Sequence, residues 1–404
     1  RAQGLARAAP RRPQVDDHGH LARLVEDLGL EVFVGDIDRG HGLNATATGR
    51  SRPAGYPRKG MSDVPGIEID NVTDWLEANV VGAVGPFTFD VIAGGHSNLT
   101  YRVSGSGTTD LVLRRPPLGH VLASAHDMGR EHRILSGLQG SAVPVPPVRG
   151  FCEDVSVNGA PFYVMDFVDG HVLRDAEAVG AELDIAARSN ASRSLVDTMA
   201  AIHDVDLADA GLADLGRHDG YIERQLKRWY GQWNQGKTRE LPAVDEAYER
   251  LLARIPEQGP ATIVHGDYRL DNCMVSGEGD VVAVLDWEIC TLGDPLADLG
   301  LLQVYWNGPD DDEGAWSGTA TAAPGFWNRH QLAERYAEVS GRDISQLDVY
   351  VALAYWKLAC IIEGVYSRYL GGALGDRPPE ELAPFKLQVE NAAAGAIRYL
   401  DALP

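Results

Sequence analysis

His265-Gly266-Asp267-Tyr268-Arg269-Leu270-Asp271-Asn272, then the apolar run Val281-Val282-Ala283-Val284-Leu285 leading into Asp286-Trp287-Glu288, is the stretch that decides how the rest of the chain is read. Cys273 to Val275 and Val281 to Leu285 both have strand composition. Between them Ser276-Gly277-Glu278-Gly279-Asp280 is turn chemistry, so the segment predicts a β-hairpin. Pairing Val275 with Val281 across the turn sets Asn272 opposite Val284. Asn272 and Asp286 then emerge at the same end of the hairpin, close enough to share a cation, with Asp267 in the loop just before it.

These residue types suit one kind of chemistry. Phosphoryl transfer from ATP needs Mg²⁺ held on oxygen ligands and an acceptor hydroxyl aimed in line at the γ-phosphoryl group. Asp286 and Asn272 suit the metal. Asp267, five residues before the Asn, accepts the hydroxyl proton, in the H-x-D-x-x-x-x-N pattern of a kinase catalytic loop. His-Gly-Asp alone is more often an ordinary polar turn, and it is the ordered set that carries the prediction.

With these residues the chain resembles the aminoglycoside phosphotransferase family. Within it the chain most resembles the kinase-like domain fused to some acyl-CoA dehydrogenases and its free-standing bacterial relatives. The resemblance runs over about residues 64–400. Its markers are Gly94-Gly95-His96-Ser97-Asn98-Leu99-Thr100-Tyr101, Leu111-Val112-Leu113-Arg114-Arg115-Pro116-Pro117, Arg130-Glu131, Phe162-Tyr163-Val164-Met165, Tyr221-Ile222-Glu223-Arg224-Gln225 and Gly293-Asp294-Pro295-Leu296-Ala297-Asp298-Leu299.

That resemblance implies an α+β, protein-kinase-like bilobal fold. A small antiparallel-sheet N-lobe over 61–168 would bind nucleotide, a hinge would lie near Val168, and a larger, mainly helical C-lobe over 169–404 would carry the catalytic loop, metal and acceptor sites. It also implies roles. Asp267 is the base; Asn272 and Asp286 hold Mg²⁺; Ser97, Asn98 and Arg114 meet the phosphates of ATP; Glu131 braces Arg114; Met165, Asp166 and Val168 form the hinge that reads adenine. His265 fixes the catalytic loop, and Glu288 assists the metal or acceptor or stands behind them. Most kinases place a lysine where this chain has Arg114, with Arg115 next to it. Arginine grips phosphate bidentately but places it differently.

The activity implied is transfer of the γ-phosphoryl group of ATP to a hydroxyl of a small molecule, with a hydroxyacyl-CoA or related metabolite as the acceptor class. Two alternatives stand beside it. One is an aminoglycoside-type antibiotic kinase. The other is a nucleotide-binding pseudokinase with a scaffold or regulatory role, prompted by Arg114 and opposed by the intact Asp267, Asn272 and Asp286. A metal-dependent hydrolase built on His265 and Asp267 lacks further ligands at suitable spacing.

Bulk composition sets the frame. A chain of 404 residues that is 44% hydrophobic can bury two lobes. Its net charge of −22 argues against nucleic acid or an anionic membrane as partner. No apolar run approaches the ~20 residues of a membrane span. Cys152, Cys273, Cys290 and Cys360 lack metal or disulfide spacing and read as reduced core thiols, which together with the missing signal-peptide core predicts a cytoplasmic protein. Residues 1–60 differ from the rest: they hold ten Lys and Arg against seven Asp and Glu, a balance of +3 that leaves −25 for the remainder. Because composition changes at Met61, the first methionine, these residues are expected to be a flexible extension or to lie outside the native protein.

Periodicity supplies the other elements: a helix over 72–81, strands over 87–92 and 99–103, a helix over 123–138 bearing Glu131, and a strand over 162–165. Leu195, Met199 and Ile202 give an apolar helical face ending at His203, which reads as a packed residue. The helix over 221–233 carries Arg224, Lys227 and Arg228, either a solvated face or a surface for an anionic acceptor. The acidic loop 307–314 reads as solvated. Helices over 329–336 and 347–369 carry aromatic stripes that read as core.

Overall fold

The computed structural model describes residues 64–93, 98–107, 110–118, 127–308, 320–372 and 378–404. The expected extension at 1–60, Ser97 and the acidic residues Asp310 to Glu313 lie outside the described residues.

The small lobe is a five-stranded antiparallel sheet in the order β1-β2-β3-β5-β4. The strands are β1 (Thr88–Ala93), β2 (Leu99–Ser104), β3 (Leu111–Arg115), β4 (Val148–Cys152) and β5 (Phe162–Asp166). Side chains alternate across a strand, and this alternation sorts the lobe. Leu111, Leu113, Phe162 and Val164 face helix α1 (Ile69–Asn79) and its buried Val72 and Leu76. Val112, Tyr163 and Met165 face helix α2 (Met128–Leu138) and its Met128, Ile134 and Leu135. Each such buried side chain contributes roughly 1.5–3 kcal/mol. By the same period Arg114 points to the α2 side and Arg115 to the α1 side. Arg115 is consumed there, its guanidinium donating to the carbonyls of Gly66 and Asn158.

Helix α2 starts at Met128, where the Asp127 carboxylate accepts the Arg130 N–H at 3.0 Å. The expected start at Ala123 falls outside the described residues. The N-cap places Glu131 in the first turn, aimed at β3.

Beyond β5 a short irregular stretch leads through strand β6 (His171–Val172) to helices α3 (Ala176–Glu182), α4 (Ile185–His203), α5 (Tyr221–Gly236) and α6 (Pro242–Leu252). After residues 262–293 come α7 (Leu296–Tyr305), α8 (Arg329–Ser340), α9 (Leu347–Leu370) and α10 (Pro379–Ala402). Helix α9 is the axle of the large lobe: it packs on α5, α6, α7 and α10, and Ala352, Tyr355, Trp356 and Ile362 are fully buried. It also corrects an expectation, because its 24 residues are long and apolar enough to cross a membrane. Since 83% of its apolar window is buried inside the protein, its hydrophobicity belongs to the core.

Two strand pairs frame the middle of the chain. Strand β7 (Thr262–Val264) pairs with β10 (Thr291–Gly293), and β8 (Cys273–Val275) pairs with β9 (Val281–Val284). The loop from β7 to β8 and the loop from β9 to β10 are therefore held side by side. The β8–β9 register differs from expectation in one respect. Val275 does pair with Val281, but a bulge follows, so Met274 meets Ala283 and Cys273 meets Val284. Asn272 consequently faces Leu285, whose N–H donates to the Asn272 carbonyl at 2.9 Å. The extra residue locally increases the twist of the strand.

Candidate functional site

The β7–β8 loop is pinned from below. Asp298, in the first turn of α7 and 1% exposed, accepts the N–H of His265 at 2.7 Å on one oxygen and that of Gly266 at 2.8 Å on the other. His203 Nε2 lies 3.3 Å from the same carboxylate, and its Nδ1 contacts the Tyr336 hydroxyl at 2.7 Å. Burial pushes the Asp298 carboxyl up, but the bonds from His203 and Gly266 and the two histidines outweigh it, and its pKa ends below the ordinary value. The His265 ring is wedged between loops: Nε2 donates to the Leu285 carbonyl at 2.9 Å, and Nδ1 accepts the Asp267 N–H at 3.3 Å. Those partners fix the tautomer with the proton on Nε2, and burial pushes the ring pKa down, so it stays neutral. Gly266 takes φ +88°, and a Cβ there would come within 3.0 Å of Ile289, so the turn into Asp267 requires glycine.

Asp267 reaches the cleft with its carboxylate oriented by Asn272, whose Nδ2 donates to Asp267 Oδ2 at 2.8 Å and to its backbone carbonyl at 2.8 Å. This commits the amide nitrogen and leaves the amide oxygen as the atom Asn272 can offer a cation. Arg269 flanks the pair: its guanidinium lies 3.4 Å from Asp267, 3.1 Å from Asp271 and 5.0 Å from the Tyr305 ring centre. Nothing in the sequence separated Arg269 from an ordinary loop arginine.

Across the cleft, Arg114 sits between two carboxylates, 3.2 Å from Glu131 and 3.3 Å from Asp286. Asp286 adopts φ +66°, the non-glycine residue with positive φ among the described residues. Such strain costs about 1–3 kcal/mol and collects at functional positions. Glu288 lies on the same side, its carboxylate 3.3 Å from the Asn98 amide nitrogen, which ties the start of β2 to the large lobe. Oxygens of Glu131, Asp286 and Glu288 all fall within 4.8 Å of one another. Burial is the largest influence on both Asp286 and Glu288 and pushes both pKa values up. Repulsion from the neighbouring carboxylates adds to this, and Arg114 opposes it.

Buried Glu131 and half-buried Asp286 and Glu288 face a single arginine, and a further cation would relieve the repulsion among them. Hard oxygen donors at this spacing, with the Asn272 amide oxygen on the adjoining strand end, fit Mg²⁺ rather than a softer metal.

Where the sequence places the hinge, Met165 is buried. The Asp166 side chain is paired with Arg149, with Nε to Oδ1 at 2.6 Å. The Asp166 N–H donates to the Pro147 carbonyl at 2.8 Å and the Phe167 N–H to that of Asp110 at 3.0 Å. Neither amide is therefore offered to a base, while the Val168 N–H meets no acceptor among the described residues. Ser97 lies outside them.

Comparison with known proteins follows this geometry. A family model described as Phosphotransferase enzyme family (APH) matches residues 88–335. A solved structure from Ralstonia eutropha, assigned as an aminoglycoside phosphotransferase, superposes with TM-score 0.71 at 32% identity, covering 82% of this chain and 98% of its own. Acyl-CoA dehydrogenase family member 11 of Gallus gallus is 35% identical over 296 residues, 72% of this chain and 38% of that protein, so the chain spans little more than a third of the relative's length. A ternary complex of aminoglycoside phosphotransferase APH(4)-Ia with AMP-PNP and hygromycin B shares the fold, with TM-score 0.51 at 16% identity over 80% of this chain and 98% of its own. The kinase-like bilobal α+β architecture and the paired loops are thus those of a known group, and this chain belongs to the phosphotransferase enzyme (APH) family.

Proposed function

We propose that this phosphotransferase moves the γ-phosphoryl group of ATP to an alcohol hydroxyl of a small molecule, with a hydroxyacyl-CoA or a related metabolite as the acceptor class. The observation that carries the reading is the Asp267 carboxylate held by Asn272 at 2.8 Å, opposite an arginine braced by Glu131 and Asp286.

In this reading Asp267 lies at the acceptor side. It orients the alcohol O–H and takes its proton as the oxygen forms the new bond to phosphorus; the bond from that phosphorus to the bridging oxygen breaks, and ADP leaves. Asn272 keeps the Asp267 carboxylate from rotating, and the His265–Leu285 and Asp298 bonds keep its loop in place. Arg114 supplies positive charge beside the phosphates, with Glu131 fixing its direction. Asp286, Asn272 and Glu288 would hold Mg²⁺, which neutralises charge on the triphosphate. The Val168 N–H would meet the adenine edge at the hinge.

Nucleotide use is supported by the AMP-PNP complex of the structural neighbour with the same fold. The acceptor class is supported by the matched relative, named for acyl-CoA chemistry, of which this chain corresponds to one part. The test is ADP release measured against hydroxyacyl-CoAs, amino sugars and choline-like alcohols. Stimulation by a hydroxyacyl-CoA with a phosphorylated product supports the reading; stimulation by an amino sugar alone replaces the acceptor, and ATP turnover that no acceptor accelerates removes the proposal.

A further inference from the structure

Beside Gly266, the residue before Asp267, a recess opens between α5, α7 and α9. Only about 30 Å³ of it is open to a water-sized group, within about 410 Å³ that counts the solvent at its mouth, and Tyr221, Trp229, Gly266, Tyr350, Leu353 and Lys357 are among the residues around it. Its walls are aromatic and aliphatic. Its titratable groups are few, and one of them is unusual.

Lys357 comes from the middle of α9, a helix whose other central residues are core. Its ammonium meets the Gly266 carbonyl at 3.5 Å, the residue directly before Asp267, and lies 5.7 Å from the Trp229 ring centre. Among the described residues no carboxylate comes within 4.0 Å of it, although the chain carries a net charge of −22. The recess does contain Asp298, but that carboxylate is occupied by His265, Gly266 and His203. A second cation stands nearby: exposed Arg228, the residue before Trp229 on α5, lies over the Trp229 ring at 5.4 Å. Burial and Arg228 both push the Lys357 pKa down, and Asp267 and Asp298 partly offset this. A lysine so placed gains most from an arriving anion, because the anion replaces the hydration that burial removed.

We infer that Lys357 binds an anionic group, a carboxylate or a phosphate ester, on the acceptor molecule, and thereby sets the acceptor hydroxyl against Asp267. This rests on the phosphotransferase reading and deepens it by naming the charge of the acceptor. It has a converse: the same ammonium disfavours a polycationic amino sugar at this place. Trp229, Tyr221 and Leu353 would cover the carbon skeleton between the anion and the hydroxyl.

The test is calorimetric titration of the full chain, held with ADP and Mg²⁺, by three probes: 3-hydroxybutyrate, its uncharged methyl ester, and coenzyme A. At least one anionic probe is expected to bind the wild type tenfold or more tighter than the ester. Lys357→Met, close in volume, is expected to abolish that margin, and Lys357→Arg to keep it within about threefold, which also controls for a folding defect. A response to hydroxybutyrate alone assigns a carboxylate, and to coenzyme A alone a phosphate. If no anionic probe outbinds the ester in the wild type, or if Lys357→Met keeps the margin, the inference is overturned. AMP-PNP titrated separately reports on the nucleotide site: loss of its binding with the Lys357 margin intact would remove the kinase reading and leave the anion site.

Discussion

Replacing Asp298 by alanine should unfold the support of the catalytic loop. Its carboxylate takes three contacts at once, from the N–H groups of His265 at 2.7 Å and Gly266 at 2.8 Å and from the His203 ring at 3.3 Å. Truncation leaves two main-chain donors and one ring nitrogen buried without their acceptor. Each orphaned buried group costs about 1–3 kcal/mol, so the loss should be about 3–9 kcal/mol, a large share of the ~5–15 kcal/mol that holds a typical domain together. Asp298→Asn keeps one acceptor oxygen but sets an NH₂ group against a donor, so about 1–3 kcal/mol should be lost. The contribution also has a pH signature. Because the folded-state pKa of Asp298 is depressed, its stabilisation is present above the unfolded carboxylate value and is lost as pH falls through the folded one. Urea unfolding followed by circular dichroism from pH 2 to 8 measures all of this, with the loss expected below about pH 4. An Asp298→Ala variant within about 0.5 kcal/mol of wild type at pH 7, the scatter of an ordinary surface substitution, would refute the claim that this carboxylate carries the loop.

Asp286→Asn should lower turnover by roughly 10²–10³ while the unfolding transition survives, as expected when one preorganised charge is removed from a site; near-normal phosphorylation by that variant would refute the metal assignment. Arg114→Met leaves Glu131, Asp286 and Glu288 facing one another without their arginine, and should cost about 3 kcal/mol in stability and weaken AMP-PNP binding; unchanged nucleotide affinity would remove Arg114 from the phosphate site. The raised pKa of Asp286, pushed to about 7, also makes metal binding pH-dependent. A carboxyl with a raised folded pKa contributes stability that is complete below the unfolded value and fades as pH rises through about 7, and Mg²⁺ must displace that proton. The Mg²⁺ midpoint for thermal stabilisation with AMP-PNP should therefore fall by up to about tenfold per pH unit between pH 6 and 7, and equal midpoints would count against the assignment.

Much of this arrangement is legible in the sequence because it depends on spacing along short elements. The hairpin and the Gly-rich turn before Val281 follow from strand composition and turn chemistry, while the interval from Asp267 to Asn272 and the Arg114–Glu131 pairing are what the resemblance to a kinase catalytic apparatus implies. The bulge at Val282 does not. Val281-Val282-Ala283-Val284 is apolar on both faces, so no alternation fixes its register, and one extra residue moves Asn272 from Val284 to Leu285. Asp298 is hidden for another reason: its value lies in two amides more than thirty residues away, which only the β7–β10 pairing brings beneath it. Lys357 is hidden inside a core-like apolar helix, where its lack of a carboxylate partner is a property of packing alone. Glu288 shows the limit of local reading, since its role depends on Asn98 arriving from the other lobe.

The central claim is that Asp267 serves an alcohol acceptor opposite a triphosphate held by Arg114 and Asp286. It is tested most directly by following ADP and phosphorylated acceptor together in the wild type and in Asp267→Asn, with AMP-PNP affinity measured in parallel. The account predicts one phosphorylated product per ADP in the wild type, and a fall of roughly 10²–10⁴ in turnover for the variant with nucleotide affinity preserved. Wild-type turnover by Asp267→Asn would contradict it.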